Sequence, residues 1–195
     1  MAVQEPLTIT MNKTILTMDS KVHQQDVDGC DDVMCVLEKR LRIVACSHTE
    51  GDFDRYDMDW TAITDEGSEM SIAVENKDRR WGWMYDDDGN AERDYDKPQY
   101  SSTYDSQMFN FEKYEYLMEL RNKTGAEIGY TADYLDGVWL FDLKTLPKEM
   151  IYKPAKEGGW KIMVLVREKT MDGRTEKKLQ PRFLIPNQYG DFYKR

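Results

Sequence analysis

The sequence predicts an α+β domain built on a mixed central β-sheet flanked by helices. Three observations carry that prediction. Helical apolar spacing occurs in two separated stretches, two-residue alternation occurs between and after them, and the order reads β, α, β, β, α, β, β and then further β. At 195 residues the chain suits a single domain with a sizeable core. Five tryptophans and twelve tyrosines need something to pack against, which argues against disorder.

Each element follows in order. Residues 6–18, rich in Thr, Ile and Leu, predict a strand or a hairpin. Val33, Leu37, Leu41 and Val44 draw one helical stripe and predict a helix over 31–45, capped by Asp31 or Asp32. Residues 57–64 and 70–77 alternate around the turn DEGSE, a strand–turn–strand unit with Gly67 at its tip. Residues 81–106 read as a long polar and aromatic connection. A second helix is expected over 107–123, with Phe111, Tyr114, Leu117 and Met118 inward and Gly125 as its stop. Leu135-Asp136-Gly137 signals a hairpin. Beyond residue 150, turns at Gly158-Gly159 and Asp172-Gly173 separate two or three more strands.

Charge is unevenly spread. The net charge is −10, yet residues 145–195 hold 12 Lys and Arg against 6 Asp and Glu. A basic last quarter on an acidic chain permits a polyanion partner. No stretch approaches the roughly 20 apolar residues that cross a bilayer, and the first residues lack an export pattern. Cys30, Cys35 and Cys46 lack zinc-ligand spacing and read as reduced thiols of a cytoplasmic protein. Asp86-Asp87-Asp88-Gly89-Asn90 places its glycine too early for a calcium loop and reads as a solvated turn. Trp81, Trp83 and Tyr85 are expected to pack or anchor, with stacking on bases as their functional alternative.

The chemistry centres on the end of the second hairpin strand. Ser71, Ala73, Glu75 and Lys77 share a face, small along its length and charged only at its end. Pairing through DEGSE brings Asp59 to the same end of the sheet, with Asp57 as a second candidate on the same face. Two converging carboxylates repel unless a hard cation lies between them. Such a cation, largely coordinated by water and phosphate oxygens, suits phosphoryl transfer.

Asp59, Glu75 and Lys77, in the pattern D-x15-E-N-K, resemble the core motif of the PD-(D/E)XK nuclease superfamily, the restriction-endonuclease-like fold, and its Holliday-junction-resolvase-like branch in particular. The resemblance spans about residues 27–145 and leaves 145–195 as a basic, β-rich extension of the same domain. Met58 stands where the family name has Pro, and Asn76 replaces the usual apolar middle residue. The resemblance implies a metal-dependent endonuclease acting on duplex or branched DNA. Asp59, Glu75 and the backbone carbonyl of Asn76 would hold Mg²⁺ or Mn²⁺, Lys77 would position the attacking water, and Glu38 on the preceding helix would assist. It further implies 5′-phosphate products, a role for Lys113 near the start of the second helix, phosphate contacts from Arg79 and Arg80, and a homodimer. Two rival expectations remain: an acidic DNA mimic or binding protein without catalysis, and a nuclease fold with a dead site.

Overall fold

Side chains of Met58, Trp60 and Ala62 are buried while Asp59, between the first two, is exposed, so period-two patterning produces a strand with one covered face. The computed structural model describes residues 20–38, 40–49, 56–85, 91–169 and 175–195. Their order is helix α1 (Ser20–Leu37), then strands β1 (Ile43–His48), β2 (Met58–Ile63), β3 (Glu69–Asp78), β4 (Trp81–Tyr85), β5 (Ala91–Pro98) and β6 (Ser106–Asn110). Helix α2 (Phe111–Thr124), β7 (Glu127–Tyr134), β8 (Gly137–Asp142) and the short helix α3 (Lys148–Tyr152) follow. Strands β9 (Lys161–Lys169), β10 (Thr175–Pro186) and β11 (Asp191–Lys194) complete it.

The fold is α+β around a mixed sheet in the order β1-β2-β3-β7-β8-β11. Strands β1, β2 and β3 form an antiparallel meander, and β7 then lies parallel to β3, with Glu75 beside Tyr130 and Lys77 beside Ala132. A parallel neighbour needs a crossover, and the segment from β4 to α2 supplies it. On one face α1 packs Cys30, Val33, Met34 and Leu37 against Met58, Trp60, Val74 and Val138. On the other, Tyr114 and Leu117 of α2 pack with Phe109, Tyr130, Phe141, Phe183 and Ile185. Phe183 and Ile185 come from β10, in the second sheet β6-β10-β9, so residues beyond 145 complete the core of the domain rather than decorate it.

Three expectations change. The helix expected over 31–45 spans Ser20–Leu37 among the described residues and ends there because β-branched Ile43 and Val44 enter an edge strand paired with β2. Val33 and Leu37 keep their inward stripe, whereas Val44 is exposed. Asp31 and Asp32 therefore lie inside α1 and form lateral pairs with His48 and Arg80 instead of capping. The connection over 81–106 holds the β4–β5 hairpin and β6, since Trp81, Trp83 and Arg93, Tyr95 alternate as strand residues do. Finally, the helix expected from 107 starts at Phe111. Gln107 and Phe109 are buried alternately in β6, and Asn110 then caps. The hairpin at 135–137 and the stop at Gly125 (φ 77°, its N–H donating to the Arg121 carbonyl at 2.8 Å) are as expected. Residues 6–18, 86–90 and the turn at 172–173 lie outside the described residues.

Candidate functional site

Where β3 ends, its alternation directs Glu75 and Lys77 to the α2 side and Asn76 and Asp78 to the α1 side. Glu75 is fully buried. Its Oε1 accepts from Lys77 Nζ at 2.8 Å and from Lys113 Nζ at 2.5 Å. Its Oε2 is buried and accepts no hydrogen bond among the described residues. That oxygen carries a desolvation cost which the two ammoniums offset only through the carboxylate's charge.

Lys113 arrives from the first turn of α2. The Asn110 side chain accepts from the backbone N–H of Glu112 at 2.9 Å and of Lys113 at 3.4 Å, which fixes that turn. A lysine is disfavoured at the positive end of a helix, so Glu75 supplies the compensating charge.

Asp57, just before β2, is drawn in by main-chain contacts. Its N–H donates to the Val74 carbonyl at 3.1 Å, and its Oδ2 accepts from the Asn76 N–H at 2.7 Å. Burial, then the Glu75 charge, push the Asp57 carboxyl up to about 6, against the pull of Lys77, Lys113 and the Asn76 N–H. Burial works against the charge of Lys77, but Glu75 and Asp57 outweigh it and hold the ammonium above the ordinary lysine value. Lys77 and Asp57 line a cavity of about 220 Å³, together with Arg79, Trp83 and Arg93 and, from the α1 side, Cys30, Asn76 and Asp78.

The structure thus brings together Glu75, Lys77 and Lys113, and it places Asp57, the second candidate, beside them. Asp59 stands elsewhere. It pairs in register with Ala73, is exposed, and accepts a hydrogen bond from the Tyr56 hydroxyl at 3.0 Å. Main-chain bonds to both Val74 and Asn76 draw in the residue two positions earlier. Glu38 also departs from expectation. It is exposed just past the end of α1, on the helix that covers the opposite face. Gly29 is the α1 residue beside Asn76 and Asp78, and nine residues of helix rise carry Glu38 about 13 Å further along. Arg79 reaches the Met108 carbonyl at 3.1 Å, on the site side. Arg80 is committed on the α1 side, to Asp78 at 3.1 Å, to Asp133 at 3.3 Å and to Asp32. Asp133 in turn meets Arg195 at 2.5 Å.

Sequence reading missed Arg93, Asp133 and Arg195. The alternation of 91–95 opposite 81–85, had it been read as a hairpin, would have placed Arg93 across from Trp83. Nothing local marks Asp133 or Arg195, whose meeting depends on β7 and the chain end converging.

Among the described residues no three His, Cys, Asp or Glu side chains gather into a metal-binding group. The site offers two carboxylates. That number suits Mg²⁺ or Mn²⁺, which keep most of their coordination for water and phosphate. The orphaned Glu75 Oε2 and the raised Asp57 carboxyl are both conditions that a dication would relieve, so the donor set fits.

Fold and site together define an α+β protein with a carboxylate–lysine cluster at the end of a hairpin strand. Comparison of the chain with protein-family models, curated proteins and solved structures found no match.

Proposed function

We propose that the chain is a metal-dependent nuclease of the PD-(D/E)XK type, hydrolysing phosphodiester bonds in DNA. The observation that carries the reading is that Asp57 and Lys77 line one cavity while the buried Glu75 carboxylate accepts from Lys77 just behind it. Asp57 stands just before β2, and Glu75 and Lys77 lie on β3. The element order around it supports the same reading. A helix precedes a hairpin that carries the acids, and a second helix on the other face leads to a strand parallel with β3.

In this reading Asp57 and Glu75, with the Asn76 carbonyl, hold Mg²⁺ or Mn²⁺. Bound there, the ion polarises a phosphate and acidifies a water. Lys113 shares the task of clamping Glu75 Oε1, which leaves Oε2 free for the ion. Lys77, its side chain 40% exposed, orients the attacking water and offsets charge on the phosphate through its ammonium. Arg79 and the exposed Lys177 and Lys178 of β10 contact phosphates. The resolvase-like resemblance adds a homodimer to the proposal. Three free thiols suit a reducing, cytoplasmic setting, and no described helix is long and apolar enough to cross a membrane.

Supercoiled plasmid and branched oligonucleotides, incubated in Mg²⁺, Mn²⁺ or EDTA, test this. Wild-type protein cuts only with metal, Asp57→Asn and Lys77→Ala lose the activity by at least about a hundredfold, and Asp59→Ala keeps it. Equal cutting by all four would mark a contaminant and remove the assignment. No cutting, with protection of DNA from another nuclease, would favour the acidic mimic.

A further inference from the structure

The β4–β5 hairpin has a face that the core does not use. Trp83 stands directly across from Arg93, whose guanidinium carbon lies 4.1 Å from the ring centroid. Arg93 is only 13% exposed and is held from behind. Its Nη1 donates to the Asp78 carbonyl at 3.1 Å and to the Trp81 carbonyl at 3.4 Å, and its Nη2 meets Asp78 Oδ2 at 3.3 Å. The indole therefore rests on a fixed cation, while 45% of Trp83 stays exposed. Further along the same face, Trp81 and Tyr95 meet edge-on at 5.4 Å, and Tyr95 is 60% exposed.

An aromatic pair that only tied the hairpin together would bury its rings against one another. Here Trp83 instead lines the cavity that also contains Asp57, Lys77 and Arg79. At about 220 Å³ that cavity is smaller than the roughly 300 Å³ at which drug-sized pockets begin, so it admits one base or one phosphate. A duplex keeps its bases stacked and cannot offer one to such a platform without unpairing it. A single strand can, and every base has a face to stack.

We propose that Trp83, backed by Arg93, stacks on an unpaired nucleobase next to the phosphate held at Lys77, so that the preferred substrate is a single-stranded stretch of DNA. The position of the cut phosphate rests on the nuclease reading, whereas the stacking does not. Arg93 fixes the ring in advance, so little ordering remains for binding to accomplish. Tyr95 and Trp81 extend the aromatic track along the hairpin, and Arg79 supplies positive charge beside it.

The test is fluorescence anisotropy in EDTA, with labelled oligothymidine, oligouridine and a blunt DNA duplex of equal length. Wild-type protein should bind the oligothymidine more tightly than the duplex. Trp83→Ala should weaken single-strand binding about tenfold and change duplex binding by less than about twofold, and Trp83→Phe should recover most of the loss. A thermal melt of each variant checks that the hairpin is intact. Equal loss on both substrates, no loss at all, or no single-strand binding by wild type would overturn the proposal, and preference for oligouridine would overturn its DNA part. A cutting assay on the same oligonucleotides separates the two readings. Metal-dependent cutting that Trp83→Ala leaves intact on single strands sinks the stacking alone. Absence of cutting with the selective binding loss preserved supports the stacking and removes the nuclease.

Discussion

Two polar clusters lie on opposite faces of the same strand end, and they are built from different cations. On the α1 face Asp78, Asp133 and Asp32 meet Arg80, Arg93 and Arg195. On the α2 face Asp57 and Glu75 meet Lys77 and Lys113. Guanidinium forks bind carboxylates in fixed geometry through several donors, which suits a clasp between distant segments. Lysine is a point charge on a flexible stem. Both lysines converge on one oxygen of Glu75 and leave the other bare. The first cluster pairs aspartates with arginines, while the second keeps a buried Glu75 oxygen without a hydrogen bond among the described residues. Asp78 and Arg93 of the first and Asp57 and Lys77 of the second line the same cavity. Opposite charges thus produce an arginine clasp on one face and a lysine-held carboxylate on the other, and the cavity draws its lining from both.

The largest expected effect separates those roles. Asp78→Ala removes the carboxylate shared by Arg80 and Arg93, leaving Arg80 to Asp32 and Asp133 and Arg93 to main-chain carbonyls. It also removes the acceptor of the Arg80 N–H at 2.9 Å, in a side chain only 12% exposed. Losing one partner of such a network should cost about 2–3 kcal/mol, read as a fall in Tm of about 5–10 °C. Glu75→Gln keeps a buried acceptor of the same shape for the two part-exposed lysines and should cost about 1–2 kcal/mol, while removing metal-dependent cutting. If Glu75→Gln destabilised the chain as much as Asp78→Ala, the α2 cluster would be a clasp as well.

The pH dependence of stability sharpens the contrast next. Burial pushes Asp133 up to about 7, although Arg195 and Arg80 pull the other way. Unfolded, the same carboxyl titrates near 4. Between those values the folded chain holds the proton that the unfolded chain has released, so this contribution is present below about pH 4 and is lost as pH rises through 7. Burial also opposes the charge of Asp78, but the Arg80 side chain and N–H outweigh it and lower its pKa. Its contribution is therefore full above about pH 4 and is lost as pH falls. Melting curves in EDTA from pH 4 to 8 should show wild type losing a few degrees on the neutral side and Asp133→Asn losing less. An unchanged slope in Asp133→Asn would place the titration elsewhere.

How much of this was legible beforehand depended on the range of the determining contacts. The β2–β3 hairpin, the Gly125 stop and the 135–137 turn are local features, and they follow from alternation and turn chemistry. So does the shared face of Glu75 and Lys77. The choice between Asp57 and Asp59 was not local. It turned on main-chain bonds from Asp57 to Val74 and Asn76 just before the ladder becomes regular, where face counting alone cannot say which side chain leans inward. The misplaced helix end at 38–45 has a similar cause. Leu41 still packs on the α1 cluster, so its spacing looked helical, while pairing with β2 claimed Ile43–His48. Residues 81–106 read as a loop because their strands are polar and aromatic rather than aliphatic.

A smaller effect probes how Lys113 is held. Asn110→Ala removes the side-chain acceptor for the Glu112 and Lys113 N–H groups and should cost about 1 kcal/mol, or about 2–4 °C in Tm. Because that turn also aims Lys113 at Glu75, the variant should lower cutting several-fold with little change in oligothymidine binding. Equal losses in binding and cutting would mean that Lys113 contacts DNA directly instead of orienting Glu75.

The smallest effect is expected at Glu38, and it tests the division of faces most directly. Glu38 is exposed, follows the last turn of α1, and its N–H merely continues the helix to the Met34 carbonyl at 2.9 Å. Helix α1 covers the sheet face opposite Glu75, and its middle, at Gly29, lies against the tip of β3, whereas Glu38 follows its C-terminal end. Glu38→Ala should therefore shift stability by no more than about 0.5 kcal/mol and leave cutting unchanged. A tenfold loss of cutting with an unaltered Tm would require the far end of α1 to reach around the sheet edge. The α1 face would then belong to the site, and its arginine clasp would need to be reread as part of the DNA-binding surface.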